Sequence, residues 1–371
     1  MYDVDTIVST PEMTGPLADA VSSGAPPPFL RSVKIKLTAR CNLTCIMCRY
    51  GKGWRPPELD GQRWMTLLPQ MAAQGCRKVH FSGGEVLVRR DFELIAARAA
   101  EVGIKVTMTS NLTLLTKDRA KALMRTKISS ISTSLDGATA RMHESVRGIP
   151  GSFKRTLKAM GRIGREKERR GRRTRLRVNF VMMRRNVAHY PELIRIAAEH
   201  GATDVVPMPV DTKRDDLRLT KQLIRRYNED IAPEVAQMRE RYGMSMDTRL
   251  IYPFGRRSGA VKASVQGQYA ADFYRDHACY APYMHMFVAW DGKVYLCCMT
   301  NGRIEPLGDL SVQSVEEVFH GEAFANIRSQ MLESRLPSCH ACDMYLEENE
   351  ALSRVLPGPS SVSSNRRLPV V

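Results

Sequence analysis

Ala-Arg-Cys-Asn-Leu-Thr-Cys-Ile-Met-Cys occupies residues 39–48 and is the most specific pattern in the chain. Cys41, Cys45 and Cys48 follow a C-x3-C-x2-C spacing, which lets one short loop bind three corners of an iron–sulfur cube. Because this loop supplies three thiolates, one iron stays open to an exogenous ligand, which favours chemistry over electron storage. The spacing alone leaves two alternatives open: the cysteines could be three of the four ligands of a zinc site, or they could be buried thiols that bind no metal.

The size and composition are those of a globular chain. Its 371 residues, 43% of them apolar, suffice for one large domain and a smaller one. No run approaches the ~20 apolar residues of a membrane span, and residues 1–5 are acidic, unlike a secretory signal. Without such a signal, the nine cysteines indicate metal binding or catalysis more than disulfides. We therefore expect a cytoplasmic protein with no membrane partner.

The net charge of +17 raises the question of nucleic-acid binding. This formal charge does not include bound metal. An iron–sulfur core with its thiolates is a net anion, so each bound cluster would lower the net charge. The densest basic run, residues 162–177, lies between a predicted helix and a predicted strand, where a solvated surface explains it. We do not expect nucleic-acid binding, and a basic surface equally suits an acidic peptide or a nucleotide-linked substrate.

Hydrophobic periodicity predicts alternating strands and helices from residue 32 onward. Val33, Ile35 and Leu37 alternate with polar residues in a first strand that ends at the cysteine loop. Five more strands are predicted over residues 78–82, 105–110, 128–135, 175–183 and 204–210. Asp91 and Thr116 are predicted to cap two of the intervening helices. Six such units imply parallel strands in an open, partial barrel, with ligands at the carboxyl ends of the strands.

The predicted organisation has five segments. They are an irregular arm (residues 1–30), the partial barrel (31–211), linker helices with a substrate-side segment (212–270), a second cysteine-bearing domain (271–346) and a disordered tail (347–371). Within the third segment, residues 220–242 are predicted to be helical. Residues 244–276 are predicted to be irregular.

A second motif, Ser82-Gly83-Gly84-Glu85, follows the predicted second strand. The two glycines let the backbone approach a ligand closely, and Glu85 can bind an ammonium group, although a tight turn explains the motif equally well. It stands one strand–helix unit after the cysteine loop. Together the two motifs resemble the radical S-adenosylmethionine (SAM) superfamily, over most of residues 32–345.

The resemblance implies an α/β fold, a partial (β/α)6 TIM-type barrel. It implies a 4Fe–4S cluster on Cys41, Cys45 and Cys48 whose open iron binds the amine and carboxylate of SAM. Reductive cleavage then yields methionine and a 5′-deoxyadenosyl radical, which abstracts a hydrogen atom from the substrate. A flavodoxin- or ferredoxin-type electron donor is implied as well.

The resemblance also implies SAM contacts at further positions. Gly83, Gly84 and Glu85 match the segment that binds the amino group, and Asn111 lies where relatives often carry Thr-Asn-Gly. Ser134 and Asp136 match positions that face the ribose or the carboxylate of SAM. Arg147 matches a cation that binds the carboxylate, and Asn179 matches a residue that contacts the ribose. For each of these residues, a strand-end polar group satisfied by a turn is the alternative. Met47 replaces an aromatic residue of many relatives, and its thioether can still pack on adenine.

A second set of cysteines comprises Cys279, Cys297, Cys339 and Cys342. Gly292 indicates a hairpin before Cys297, and residues 315–332 are predicted to be helical. This region is similar to the SPASM/twitch extension of the same superfamily, which implies one auxiliary 4Fe–4S cluster with no open iron. A four-cysteine zinc site is the alternative, although such sites usually carry two C-x2-C pairs and this chain has one.

Two cysteines lie outside both sets. Cys76 follows a helix-ending glycine and is predicted to be a small core residue. Cys298 adjoins Cys297 on the predicted hairpin, so its side chain should point away from that ligand, toward the barrel mouth. An alternative cluster ligand, a packing residue and a thiol hydrogen donor all remain open for Cys298.

The sequence allows three candidate functions. The first is an enzyme that oxidises a natural-product small molecule or peptide, by dehydrogenation or crosslinking, with the auxiliary cluster as electron acceptor. The second is a redox-neutral epimerase with Cys298 as hydrogen donor, and the third is a non-enzymatic zinc or nucleic-acid-binding protein. The short arm leaves no room for a leader-peptide domain and favours a small molecule, whereas the Arg-rich surface favours an acidic peptide. Substrate contacts are expected in residues 244–276 and on strands five and six.

Overall fold

Six parallel strands form the centre of the molecule. The computed structural model describes residues 4–51, 53, 55–270, 274, 277–333, 336–340, 342 and 347–356. Strands β1 to β6 are Ser32–Thr38, Lys78–Gly83, Lys105–Thr109, Ser130–Ser134, Arg175–Met182 and Asp204–Pro209. Each strand pairs in parallel with the next along the chain, so the predicted partial (β/α)6 barrel is confirmed.

Helices precede, connect and follow these strands. Before β1 come α1 (Asp5–Ser9) and α2 (Pro11–Ser23). Between the strands lie α3 (Gly61–Ala73), α4 (Phe92–Glu101), α5 (Lys117–Arg125), α6 (Ala140–Arg147), α7 (Ser152–Arg169) and α8 (Tyr190–Glu199). After β6 come α9 (Lys221–Arg226), α10 (Ala232–Arg241), α11 (Thr248–Ile251) and α12 (Ser258–Val265). Thr116 caps α5 as predicted, whereas Asp91, at the N-cap of α4, accepts hydrogen bonds from Arg89 instead of the helix backbone.

Alternation along β1 separates an apolar face from a polar one. Val33, Ile35 and Leu37 are buried in the apolar core, where each such side chain contributes roughly 1.5–3 kcal/mol to folding. Lys34 and Lys36, on the opposite face, remain partly exposed. The inner face of the barrel is therefore polar enough to surround a ligand.

The C-terminal region extends the same sheet beyond β1. Strand β7 (His285–Val288) pairs in parallel with β1, and β8 (Lys293–Tyr295) and β9 (Gly308–Asp309) continue it antiparallel. Among the described residues the strand order is β6-β5-β4-β3-β2-β1-β7-β8-β9. The predicted hairpin is thus β7–β8, and its attachment to β1 was not apparent from the sequence. The helices of this region are α13 (Ala281–Met284), α14 (Val315–Phe319), α15 (Glu322–Glu333), α16 (Pro337–His340) and α17 (Glu347–Ser353).

Three segments predicted to be irregular or disordered contain helices. The arm of residues 1–30 forms α1 and α2, in which Leu17, Ala20 and Val21 share one buried face whose spacing the Pro- and Ser-containing composition obscured. Residues 244–276 contain α11 and α12. The tail of residues 347–371 begins with α17, whose Leu352 is fully buried, while residues 357–371 lie outside the described residues. In the described ranges, no helix has the length and apolarity to cross a membrane.

A buried arginine joins α10 to β6. The guanidinium of Arg239 is fully buried and donates hydrogen bonds to the Tyr190 hydroxyl and the Val205 carbonyl, at 3.0 and 2.8 Å. It also binds the Asp204 carboxylate at 2.6 Å. Removing this cation would leave several buried acceptors unsatisfied at once.

We predict that Arg239→Met lowers the free energy of unfolding by about 3 kcal/mol. Urea denaturation under anaerobic conditions measures this change. The matched control is Arg225→Met on the exposed surface of α9, which should change stability by less than about 0.5 kcal/mol. Equal effects of the two substitutions would contradict a structural role for the buried network.

Candidate active site

The cysteine loop lies at the carboxyl end of β1 and is fastened to α6. The backbone N–H groups of Thr44 and Ile46 donate to the carbonyls of Arg147 and Val146. Gly51 completes the loop in a left-handed conformation, with φ of +81°, and a Cβ there would lie 2.3 Å from the Leu43 carbonyl oxygen. The positions of the three thiols are therefore set by two neighbouring elements.

Each sulfur of this loop has a nitrogen donor nearby. Leu43 N lies 3.4 Å from Cys41 Sγ, and Tyr50 N lies 3.4 Å from Cys48 Sγ. Arg147 Nη1 lies 3.7 Å from Cys45 Sγ. Such donors stabilise thiolates, the form in which cysteine ligates iron. Burial raises the pKa of the Cys41 thiol to about 11, so a thiolate there needs positive charge from a metal. The three-cysteine donor set fits a 4Fe–4S cluster.

A buried ion pair stands behind Cys45. Arg147 Nε lies 2.6 Å from Asp136 Oδ2, and the Asp136 side chain is fully buried. Its other oxygen, Oδ1, accepts from Val181 N at 2.9 Å. Asp136 was predicted to contact SAM. That contact stays a prediction, and within the protein the Asp136 carboxylate pairs with Arg147 beside the cysteine loop.

The Gly-Gly-Glu segment packs on the backbone that leads into the cysteine loop. A Cβ on Gly83 would lie 2.3 Å from the Thr38 carbonyl oxygen, and one on Gly84 would lie 2.3 Å from that of Arg40. Gly84 N and Glu85 N donate to these same two carbonyls. The close approach of a ligand to these glycines stays a prediction, and the neighbouring backbone by itself already excludes a Cβ at both positions.

Glu85 joins this segment to the end of β3. Its Oε1 accepts from Leu87 N and Ser110 Oγ, and its Oε2 accepts from Asn111 N. Burial raises the pKa of this carboxyl group. The ammonium contact predicted for Glu85 remains a prediction, since its carboxylate already accepts three hydrogen bonds within the protein.

The turn after β3 approaches the cysteine loop through Asn111. Its Nδ2 donates to Asn42 Oδ1 at 3.0 Å and lies 4.0 Å from Cys41 Sγ. The next residue, Leu112, has φ of +59°, a left-handed conformation that costs a non-glycine residue roughly 1–2 kcal/mol. The sequence did not reveal this backbone conformation at Leu112.

A cavity of about 360 Å³ runs along the inner face of the barrel. All four cysteines of the second set line it, namely Cys279, Cys297, Cys339 and Cys342. Asn179 and Arg177 of β5 line it too, as do residues of β6 and Tyr274, in the regions where substrate contacts were expected. Ser134 is the register partner of Asn179 on β4. The fold thus brings the second cysteine set to the same cavity as a predicted SAM contact.

Two cysteines outside the two sets, and one lysine of β1, differ in their exposure. Cys76 is fully buried in the core, as predicted, and Cys298 is exposed and lines the cavity. Lys36 was not predicted as a site residue, although the alternation along β1 already placed it on the face opposite the apolar core. Its Nζ lies 5.2 Å from the Tyr50 ring centroid, burial lowers its pKa to about 8, and Cys48 and Cys298 both oppose that shift. Lys36 therefore lies beside Tyr50, at the end of the cysteine loop.

Comparison with known proteins agrees with this geometry. Residues 35–167 match the radical SAM superfamily, and residues 279–343 match SPASM, an iron–sulfur cluster-binding domain. An AdoMet-dependent heme synthase of Methanosarcina barkeri is 33% identical over 174 residues, 46% of this chain and 48% of that protein. A PqqA peptide cyclase of Rhodopseudomonas palustris is 31% identical over 170 residues, 45% of this chain and 43% of that protein. The match thus spans about half the length of these relatives.

Solved structures show the same fold. Streptococcus suis SuiB bound to the precursor peptide SuiA aligns with a TM-score of 0.61 at 17% sequence identity. The alignment covers 87% of this chain and 73% of SuiB. At this level of identity the likeness shows a shared fold.

We predict opposite redox effects from the two members of the buried ion pair. Arg147→Gln removes a charged donor to Cys45 and should lower the reduction potential of the three-cysteine cluster by roughly 60 mV, about the value of one charged hydrogen bond. Asp136→Asn keeps the hydrogen bond from Val181 but leaves Arg147 uncompensated, so the potential should rise.

The measurement is an EPR-monitored redox titration of the anaerobically reconstituted protein without SAM. The signal that changes when SAM is then added identifies the three-cysteine cluster. Shifts of the same sign in both variants would contradict the electrostatic role of the pair.

Proposed function

The chain is a radical SAM protein with a C-terminal SPASM domain, whose cofactors are a SAM-binding 4Fe–4S cluster, SAM and an auxiliary iron–sulfur cluster; from this premise we propose that it is an oxidoreductase. Bound at the cluster, SAM supplies a 5′-deoxyadenosyl radical that takes a hydrogen atom from the substrate. An auxiliary cluster held by the four cysteines of the second set would supply a one-electron acceptor, and the substrate radical would release one proton. The net result is a two-electron oxidation that leaves a carbonyl or a crosslink.

One observation carries this proposal. The four cysteines of the second set line the same cavity as Asn179. A substrate in this cavity would contact SAM on one side and the auxiliary cluster on the other. Four thiolates would ligate that cluster fully, which suits an electron acceptor that does not bind the substrate.

The chain's own residues would hold and orient the reactants. Cys41, Cys45 and Cys48 would bind the first cluster, and Arg147, beside Cys45, would bind the carboxylate of SAM. Ser134 and Asn179, which pair in register on β4 and β5, would contact the ribose. These contacts would place the reactive carbon over the cavity and keep it from water.

The substrate class follows from the relatives in coarse terms. PqqA peptide cyclase acts on a peptide, SuiB binds a precursor peptide, and heme synthase makes a small molecule. We propose a peptide or a small natural product for this chain. The auxiliary cluster would fill the cysteine-lined part of the cavity of about 360 Å³, which leaves room for a side chain or a small ring.

We predict that the anaerobically reconstituted protein binds about eight iron atoms per chain and forms 5′-deoxyadenosine from SAM and dithionite. Cys45→Ala should retain about four iron atoms and form no 5′-deoxyadenosine. Iron analysis and chromatography measure the two quantities.

The matched control is Cys76→Ala, which lies in the core and belongs to neither cysteine set, and this variant should retain both clusters. A wild-type protein that takes up zinc but neither iron nor sulfide would refute the proposal in favour of a non-enzymatic metal protein.

A redox-neutral epimerase is the second candidate function, because Cys298 is exposed to the cavity and lies near Lys36. In that reaction the Cys298 thiol would return a hydrogen atom to the substrate radical on its opposite face. The thiyl radical left on Cys298 would take up one proton and one electron, supplied by the auxiliary cluster or by the external electron donor, so the reaction would need no electron acceptor.

Cys298→Ala distinguishes the two reactions. Under the proposed oxidation, the variant should still form a product lighter by two hydrogens, with turnover within about threefold of wild type. Under epimerisation, it should cleave SAM and form no product. Mass spectrometry of product and 5′-deoxyadenosine measures both, and a product of unchanged mass in the wild type would overturn the oxidation.

A further inference from the structure

The cavity lining is cationic. Lys34, Lys78 and Arg177 line it, and no Asp or Glu is among the described residues that do so. His80 and His285 also line it, but burial lowers the pKa of each imidazole well below its usual value, so neither adds positive charge near neutral pH. A partly desolvated cavity of this composition attracts anions.

The auxiliary cluster accounts for part of this charge. A 4Fe–4S core on four cysteine thiolates carries a formal charge of about −2. Lys34 and Lys78 suffice in number to balance it. The three cations of the lining therefore exceed the charge of the cluster by one, and Arg177 is the one that lies on β5, where substrate contacts were expected.

Arg177 lies deeper in the barrel than the predicted SAM contacts. It pairs in register with Ser132, two residues before the Asn179–Ser134 pair, which corresponds to about 7 Å along the strand. The carboxylate next to it in register, Asp204 on β6, binds Arg239 at 2.6 Å. Arg177 is therefore directed at the part of the cavity beyond SAM, where the substrate would lie.

We propose that the substrate binds with a carboxylate against Arg177. This inference rests on the proposed function, because it places the substrate between SAM and the auxiliary cluster. A guanidinium binds a carboxylate through two parallel hydrogen bonds, which fixes the orientation of the bound group as well as its position. An acidic side chain or a terminal carboxylate of a peptide meets this requirement.

The test compares two isosteric probes, acetyl-Ala-Glu-Ala-amide and acetyl-Ala-Gln-Ala-amide. Their dissociation constants are measured by anaerobic calorimetry on the cluster- and SAM-loaded full chain. The Glu peptide should bind about tenfold more tightly, the value of one charged hydrogen bond. Arg177→Gln should abolish this preference, and Arg177→Lys should retain part of it.

The control for the high net charge is Arg173→Gln. Arg173 is exposed in the loop before β5, four residues from Arg177, and its replacement makes the same charge change outside the cavity lining. This variant should keep the tenfold preference. The same loss in both Gln variants would assign the preference to the basic surface and overturn the proposal.

Two other results also overturn it, namely equal dissociation constants for the two peptides in the wild type and no detectable binding of the Glu peptide. Formation of 5′-deoxyadenosine by the wild type is measured in parallel. If 5′-deoxyadenosine forms and the peptides bind equally, the acidic-substrate inference fails while the proposed function stands. If none forms, the proposed function itself fails.

Discussion

The close contact between the Gly-Gly-Glu segment and the end of β1 is the constraint on which the candidate site depends. Gly83 and Gly84 approach the Thr38 and Arg40 carbonyls so closely that a Cβ at either position would lie 2.3 Å from an oxygen. The cysteine loop leaves β1 directly after this contact. Any side chain at the two glycines would therefore displace the loop before it displaced a ligand.

Arg147 carries the second constraint, from the opposite side of the loop. Its backbone carbonyl accepts a hydrogen bond from Thr44 N, and its guanidinium lies between Asp136 and Cys45. One residue thus joins α6, the carboxyl end of β4 and a predicted cluster ligand. A buried charge in this place is tolerated because its partner carboxylate is itself hydrogen-bonded to β5.

The sequence was sufficient for the barrel and for the grouping of the cysteines, because both follow from local patterns. Alternation in β1 and the C-x3-C-x2-C spacing each involve fewer than a dozen neighbouring residues. The role of Glu85 was not predictable in this way. Its partners Ser110 and Asn111 lie about 25 residues further along the chain, and only the parallel pairing of β2 and β3 brings them together.

The pairing of β7 with β1 was unpredictable for a related reason. Two short strands 250 residues apart carry no mutual signal in one sequence, yet Ser32 pairs with His285 and its Oγ lies 2.8 Å from the imidazole Nδ1. The helical arm of residues 1–30 was missed because its apolar face is short.

The continuity of the sheet through β1 bears directly on the proposed chemistry. The same strand leads into the first cysteine loop at its carboxyl end and binds the β7–β8 hairpin, which precedes Cys297, along its edge. Backbone hydrogen bonds therefore join the hairpin that precedes Cys297 to the strand that leads into the first cysteine loop. Under the proposed oxidation, a fixed separation would suit single-electron transfer out of a substrate radical held between the two cysteine sets, because that radical would have to be oxidised before it reacted elsewhere. The residues that line the intervening cavity then decide which substrate carbon is presented, and Arg177 is the cation best placed to do so.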